Sequence, residues 1–315
     1  MNVVHDLAAL RLDSPTILTI GAFDGVHRGH QYLIRSVVDR ARALGFESMV
    51  LTFDPRPLVT LRPGSKQLTD GIDKARIFAT LGPDVLAIVP FTVETSQIPA
   101  GQFLARISDH VNLAEIWIGS DFVFGHNREG TVDFLIRNGS SSGFAVHVVA
   151  RQSLGREELS STRVRSLLEA GDVSGAAVVL GHYAGFHGTV VSGFGRGRDL
   201  GFPTANVSTA VDQFLPATGI YAAYLRLDDA RLPAAVSVGT NPTFDGDRVV
   251  VEAYVLDFDA DLRNRDVGLE FVERIRGEER FSSVHALVEE MHRDVEKVRT
   301  ILAGAVEPGE LLLGS

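Results

Sequence analysis

"TILTIGAFDGVHRGHQYLIRSVVDRARAL" fills residues 16–44 and runs from a β-branched, uncharged stretch through a glycine-rich turn into a periodic amphipathic segment. Thr16–Ile20 reads as a strand covered on both faces, and Gln31–Leu44 as a helix with one apolar stripe. A strand that turns through glycines straight into a helix sets free N–H groups and the positive end of a helix dipole beside the strand's carboxyl end, a place that favours phosphate. The same rhythm continues: Ser48–Phe53, Val85–Pro90, Glu115–Ile118 and Phe144–Ala150 read as strands and Gln102–His110 as a helix. The expectation is an α/β fold, a doubly wound parallel sheet with right-handed crossovers. Ser161–Gly181 closes the region as a helical stretch, with Ser-Ser-Thr as its cap signal and Gly171 as a stop or break.

After about Tyr183 the texture changes. Phe186–Val191, Tyr221–Leu227, Ala234–Val238, Val249–Leu256 and Val267–Phe271 are short strand-like runs divided by turn residues, which predicts a small antiparallel β-barrel. Ser283–Leu302 carries Val284, Leu287, Val288, Met291, Val295, Val298 and Leu302 on one stripe, predicting a terminal helix capped by Ser282. Two domains are expected, 1–182 and 183–315, joined near 181–185. Charge divides similarly, with 17 basic against 19 acidic residues over 1–184 and 13 against 21 over 185–315.

Composition narrows the chemistry. The 315 residues are 45% hydrophobic and 22% charged, enough apolar material for two cores. No run approaches the roughly 18–20 continuous apolar residues of a membrane span, and MNVVHDLAALRLD at 1–13 lacks the basic-then-apolar plan of a signal peptide. A cytoplasmic protein without a membrane partner is expected. Zero cysteines exclude disulfides, thiolate catalysis and Cys-ligated metal centres, leaving imidazole, carboxylate, hydroxyl and amide groups. A formal net charge of −10 argues against nucleic acid as a partner, while small anions need only a locally positive pocket. The sequence leaves a homo-oligomer open.

Within the turn, Gly21 and Gly25 permit tight bends and close approach, and Gly29 keeps the edge between the histidines free of bulk. His27 and His30, three apart at a helix start, can both reach one phosphate and hydrogen-bond the charge that develops during its transfer. From the residues alone, a turn with two partly exposed histidines fits the stretch as well.

In the form GxFDGVHxGH, residues 21–30 resemble the signature of the nucleotidyltransferase superfamily as it stands in bacterial FAD synthetases. "TFDPRP" at 52–57, "LTDGIDK" at 68–74, "IGSDFVFG" at 118–125 and "LSSTRVRSLLEAGDVSGAAVVLG" at 159–181 follow in the family's order. The last segment resembles a second phosphate-binding signature, which implies hydroxyl and guanidinium donors from Ser161, Thr162 and Arg165. The resemblance also implies nucleotide or phosphate contacts at Gly21, Phe23, Asp24, Gly25 and Gly29. Asp24 alternatively orients a neighbouring loop N–H or a histidine, or is simply an acidic turn residue. Flavin contacts are implied at Asp121, Phe122 and Phe124, with Phe53 a further aromatic candidate and core packing the alternative for all three rings. Lys74, one of three lysines, is open to a site role or a place on a helix surface.

"GFGRGRDLGFPTANV" at 193–207 resembles the PTAN region of riboflavin kinases, and "SVGTNPTFDG" at 237–246, "VVVEAYVLDFDADL" at 249–262 and the terminal 271–299 segment follow that family's pattern. The resemblance implies phosphate contacts from Gly195, Arg196, Gly197 and Gly201, oxygen ligands for Mg²⁺ from Thr204 and Asn206, and Glu252 as general base. A strand carboxylate aimed at Mg-ATP can take the proton of a primary alcohol as it attacks the γ-phosphate.

The whole chain is therefore similar to the bifunctional riboflavin kinase/FMN adenylyltransferases. The implied reactions are riboflavin plus ATP to FMN and ADP in the C-terminal half, then FMN plus ATP to FAD and pyrophosphate in the N-terminal half, with His27 and His30 serving the second step. Two other readings compete. A different nucleotidyltransferase with the same histidine signature leaves the PTAN half unexplained, and a flavoprotein that merely stores FMN leaves both phosphate loops unexplained.

Four positions depart from the family pattern. Arg56 stands in "TFDPRP" where histidine is usual, Asn241 in "GTNPTF" where arginine is common, and Arg263-Asn264 where the kinases carry Tyr-Gly. The last pair is expected to reshape its turn.

Overall fold

The computed structural model describes residues 1–155, 157–192, 200–243 and 246–306. The chain divides into two compact units, Met1–Ser160 and Ser161–Ser315.

The first unit is built on β1 (Asn2–Val4), β2 (Leu12–Ile20), β3 (Glu47–Asp54), β4 (Val85–Pro90), β5 (Val111–Gly119) and β6 (Ala145–Val149), all parallel, in spatial order β1-β4-β3-β2-β5-β6. Its helices are α1 (Arg28–Leu44), α2 (Pro57–Leu61), α3 (Gly71–Leu81), α4 (Val93–Ser96), α5 (Ala100–Ser108) and α6 (Val132–Ser142). Successive strand residues point to opposite faces, so each strand feeds two apolar layers. Leu18, Ile20, Met49 and Leu51 pack with Leu104 and Ile107 of α5 and Leu135 of α6. Val50, Leu86 and Ile88 pack on the other side with Leu33, Ile34 and Val38 of α1 and Ile77, Phe78 and Leu81 of α3. This double cover is why the strands lack a polar face. A two-stranded ribbon, β7 (Ser153–Leu154) with β8 (Glu157–Glu158), ends the unit.

Strand order locates the ligand crevice. From β2 the chain moves outward to β3 and β4, then crosses back to β5 and β6 on the other side of β2. The reversal makes the carboxyl ends of β2 and β5 the topological switch point, where open α/β sheets hold ligands. The histidine turn leaves β2 there, and Ser120–Gly125 leaves β5.

The second unit opens with α7 (Ser161–Glu169) and α8 (Val173–Leu180), divided where Gly171 takes φ +78°. It continues as β9 (Ala184–Val191), β10 (Ala205–Val207), β11 (Gly219–Leu227), β12 (Ala230–Thr243), β13 (Gly246–Val255) and β14 (Asp266–Arg276), closed into an antiparallel barrel in the order β10-β13-β12-β11-β14-β9. Compactness changes at Ser160–Ser161, earlier than the change of sequence texture at 181–185. The reason is burial: α8 packs on β9 and β14, and Ala177 shares an apolar cluster with Tyr183, Ala222 and Val298. The terminal helix α9 (Val284–Ala303) lays Val298 and Leu302 on that cluster. Its cap is Ser283 rather than Ser282: Ser283 is the residue with extended backbone, and its hydroxyl accepts the Ala286 N–H at 3.2 Å.

Candidate active sites

The histidine turn is rigid by construction. Gly21 N–H donates to the Leu51 carbonyl at 3.1 Å, continuing the β2–β3 ladder past the strand end, and Val26 N–H donates to the Phe23 carbonyl at 3.1 Å. Phe23, Gly25 and Val26 all take positive φ, at 43°, 81° and 41°. For the two non-glycine residues that conformation is strained and persists because the surroundings impose it. Both are buried, at 3% and 0% exposure, in the layer formed with α1 and α3. His27 then caps α1, its Nδ1 accepting the His30 N–H at 3.4 Å. With Nδ1 as acceptor the ring proton sits on Nε2. A Cβ on Gly29 would lie 3.2 Å from Cε1 and Nδ1 of His27, so the glycine makes room for that ring to fold over the first turn.

His30 stacks on His27, ring centroids 3.6 Å apart, and meets the edge of Phe23 at 5.2 Å. Its Nδ1 is buried with no hydrogen-bond partner among the described residues. Burial first, then the nearby His27 and Lys74, hold the His30 imidazole well below its ordinary pKa. At neutral pH it is a neutral N–H donor, not an imidazolium.

Asp24 turns inward. Its Oδ1 accepts the Leu68 N–H at 2.7 Å and its Oδ2 the Arg56 Nη1 at 3.0 Å, and it is 4% exposed. Together with the Gly25 N–H to Thr69 Oγ1 bond at 3.0 Å, this fastens the turn to the segment before α3, the orienting alternative for Asp24. Arg56 serves that fastening. Lys74 is fully buried on α3, which excludes the helix-surface alternative.

Beyond β5, Phe122 and Phe124 stack at 5.5 Å and 19°, and Phe103, Phe134, Phe53 and Phe91 extend the ring cluster. Phe53, Phe122 and Phe124 rest on the core layer with one side and stay partly exposed on the other, so core packing and a surface for a flat aromatic ligand coexist. Asp121 is exposed and paired with Arg151 Nη2 at 2.9 Å. Ser161, Thr162 and Arg165 lie on the first turns of α7 in the second unit; Arg165 Nη1 donates to the Ser161 carbonyl at 3.3 Å, and its guanidinium covers the Phe214 ring at 5.6 Å.

In the barrel unit a cavity of about 560 Å³ is lined by Val190–Ser192, Pro203–Asn206, Ala253, Val255 and Phe258–Arg263. Thr204 and Asn206 are in its wall. Glu252 pairs across the sheet with Asn206 and Ser237, on the face of β13 opposite Ala253, where its Oε2 accepts the Thr204 hydroxyl at 3.5 Å. The three residues therefore converge. Gly201 takes φ +84° just before them; Gly195, Arg196 and Gly197, and the side chain of Asn241, lie outside the described residues. At the Arg263-Asn264 turn, Asn264 adopts φ +60° and donates its N–H to the Val190 carbonyl at 2.9 Å; asparagine is among the few residues that tolerate this region. Arg263 pairs with Asp261 through Nε at 3.0 and 2.9 Å.

Helical phase carries a signal for Lys74, whereas the role of Arg56 rests on its contact with Asp24. Lys74 falls in register with Ile77, Phe78 and Leu81 on the buried stripe of α3, and Arg56 lies in the turn that answers Asp24.

Comparison with known proteins follows this layout. Residues 10–163 match the family model described as FAD synthetase and 180–302 that described as riboflavin kinase. The bifunctional riboflavin kinase/FMN adenylyltransferase of Escherichia coli K12 is 35% identical over 295 residues, 92% of this chain and 94% of that one. The same-named protein of Pseudomonas fluorescens is 34% identical over 309 residues, 96% and 98% of the two chains. A crystal structure titled macrolide-efflux protein from Streptococcus pneumoniae matches with TM-score 0.83 at 29% identity, covering 94% of this chain and 98% of that one. Among the described residues here, no helix is long and apolar enough to cross a membrane. The two adjoining matches and the full-length relatives show that the chain belongs to the bifunctional riboflavin kinase/FMN adenylyltransferase family.

Proposed function

We propose that the two activities of this bifunctional riboflavin kinase and FMN adenylyltransferase have separate sites, adenylyl transfer at the His27–His30 turn and riboflavin phosphorylation around Glu252, Thr204 and Asn206. The observation that carries the first assignment is the turn's place at the switch point of the sheet, with two N–H-bearing imidazoles stacked at the start of α1.

In adenylyl transfer an oxygen of the FMN phosphate attacks the α-phosphorus of ATP, the bond from that phosphorus to the bridging oxygen breaks, and pyrophosphate leaves. The nucleophile is already an anion, so no strong base is needed. Catalysis rests on orientation and on donors aimed at the charge developing on the phosphoryl oxygens. The imidazole N–H groups of His27 and His30 supply them, with the positive end of the α1 dipole behind them. Ser161, Thr162 and Arg165 are assigned to phosphate binding on their sequence signature, and the Phe122–Phe124 stack with Asp121 to the flavin.

In the kinase step the Glu252 carboxylate takes the proton of the riboflavin primary hydroxyl while that oxygen attacks the γ-phosphorus and ADP leaves. Thr204 and Asn206 offer hydroxyl and amide oxygens beside a carboxylate, a hard-oxygen donor set that suits Mg²⁺ bound partly by substrate phosphates. Neutral ligands of this kind would fit an ion that arrives with its nucleotide. Such an ion offsets charge on the transferring phosphoryl group. The partners are small molecules, and the expected location is the cytoplasm.

The test supplies riboflavin, ATP and Mg²⁺ to wild type, His27→Ala and Glu252→Ala and separates riboflavin, FMN and FAD. Wild type is expected to reach FAD, the His27 variant to stop at FMN, and the Glu252 variant to make FAD only when given FMN. A His27 variant that still makes FAD at the full rate overturns the first assignment.

A further inference from the structure

Lys74 is buried to 0% exposure, whereas Lys66 and Lys297 are exposed. An ammonium held away from water is costly unless its charge is answered and its hydrogens are bonded. Nζ donates to the Phe53 carbonyl at 2.6 Å, at the carboxyl end of β3. The charged groups that face it come from three segments: Asp24 from the turn after β2, Asp54 from the end of β3 and Asp70 from the cap of α3, with Arg56 as the like charge. Asp24 is tied to Leu68 and Arg56, and Asp54 accepts Gln67 Nε2 at 3.5 Å. The ammonium thus stands where the strand ends, the histidine turn and the start of α3 meet. It also stands within electrostatic reach of His30, whose other charged neighbour is His27.

Three carboxylates beside a site for a triphosphate would oppose an anionic substrate. Arg56 and Lys74 offset them from within, and Arg56 is already bonded to Asp24.

We propose that Lys74 is a positioning residue of the adenylyl-transfer site: its ammonium ties the end of β3 to the turn carrying His27 and His30 and offsets Asp24, Asp54 and Asp70 behind the phosphates. The inference rests on the assignment of that site to the turn. It goes beyond stability, because a fixed cation near His30 also opposes protonation of that ring.

Lys74→Met keeps the unbranched stem, one atom shorter, and removes the charge. In the full-length protein, conversion of FMN to FAD is expected to fall about 10²-fold in kcat, the loss that misplacement of a reacting group brings. The acid limb of kcat/KM against pH is expected to move to higher pH, and riboflavin phosphorylation in the same preparation to stay unchanged. Lys74→Arg is expected to return the limb toward its wild-type position. A Lys74→Met protein with wild-type kcat and an unmoved limb overturns the proposal. Should that variant lose the fold of the first unit, the double variant Asp54→Asn, Lys74→Met removes a carboxylate with the ammonium and is expected to fold and to show the moved limb. An unmoved limb there, or failure of both variants to fold, assigns Lys74 to stability alone and overturns the proposal. Full adenylyl transfer by His30→Ala would instead overturn the placement of the site, whichever way Lys74→Met behaves.

Discussion

The imidazoles of His27 and His30 lie 3.6 Å apart with 21° between their planes, and the first ring caps the helix that carries the second. Two imidazolium cations at that separation would repel strongly, so the stack admits at most one positive charge. Its chemistry near neutral pH is that of N–H donors fixed in direction, which suits a reaction whose nucleophile is already charged.

His30→Ala is therefore expected to lose about 10²–10³ in kcat for FAD formation from FMN and ATP, the effect of removing one preorganised donor from a developing oxyanion. Riboflavin phosphorylation is expected to be unchanged. Assaying each half-reaction with its own substrate checks both statements.

The same burial makes the fold sensitive to acid. His30 has a pKa held below its ordinary 6.5 by burial, with His27 and Lys74 adding to the effect. The unfolded chain then binds the proton more readily, so stability is fully present above about pH 6.5 and is lost as pH falls toward the folded-state value. Thermal unfolding of the first unit between pH 7.5 and 5.5, followed through the single tryptophan, Trp117, is expected to show a smaller decline for His30→Gln than for wild type.

Gly29→Ala isolates geometry from charge. The added Cβ would sit 3.2 Å from His27 Cε1 and Nδ1, and the ring must give way. Alanine favours a helix over glycine by up to about 1 kcal/mol, so stability is expected to hold or rise slightly. FAD formation is expected to drop about 10-fold or more, since small misplacements carry large rate penalties. A stable variant with a wild-type rate would mean the His27 ring position is not used.

Much of this layout was legible because local signals and packing agree. Thr16–Ile20 and the other apolar runs become strands covered by helices on both faces, and the glycine turn falls at a strand end for the reason the sequence implies. What was not legible depends on partners far away in the chain. β1 has three residues, too few for a periodic pattern, and exists by pairing with β4. Helix α8 continues the first half in sequence yet packs on β9 and β14 of the barrel, with α7 packed against α8. Asp24 is ambiguous until the Leu68 N–H and Arg56 are brought to it. Asn264 reads as a departure from a Tyr-Gly pattern, and its left-handed conformation and its bond to the Val190 carbonyl appear only once β9 lies beside it.

Glu252→Gln keeps size and hydrogen bonding while removing the base. Riboflavin phosphorylation is expected to fall about 10²–10⁴-fold, with FAD formation from supplied FMN intact. Because the Thr204 hydroxyl can still donate to the amide oxygen, the fold of the barrel is expected to be retained, and unfolding midpoints should match wild type.

Arg276, ending β14, and Asp294 on α9 form the buried ion pair that fastens the terminal helix to the barrel. Nε lies 3.2 and 3.0 Å from the two carboxylate oxygens and Nη2 lies 2.7 Å from one, with side chains 13% and 5% exposed. Asp294→Ala leaves a buried guanidinium whose remaining partners are the Gly277 carbonyl at 3.1 Å and Glu290 at 3.9 Å. Breaking a buried pair in this way costs about 3–5 kcal/mol, and Glu290 holds the expected loss to about 3 kcal/mol, the low end of that range. Replacing both partners with apolar residues, Arg276→Met with Asp294→Leu, leaves no uncompensated charge and is expected to cost less than Asp294→Ala alone. Urea unfolding followed by loss of kinase activity measures both variants. If the double replacement is the more damaging, the pair stabilises through its own attraction rather than by each charge cancelling the burial penalty of the other.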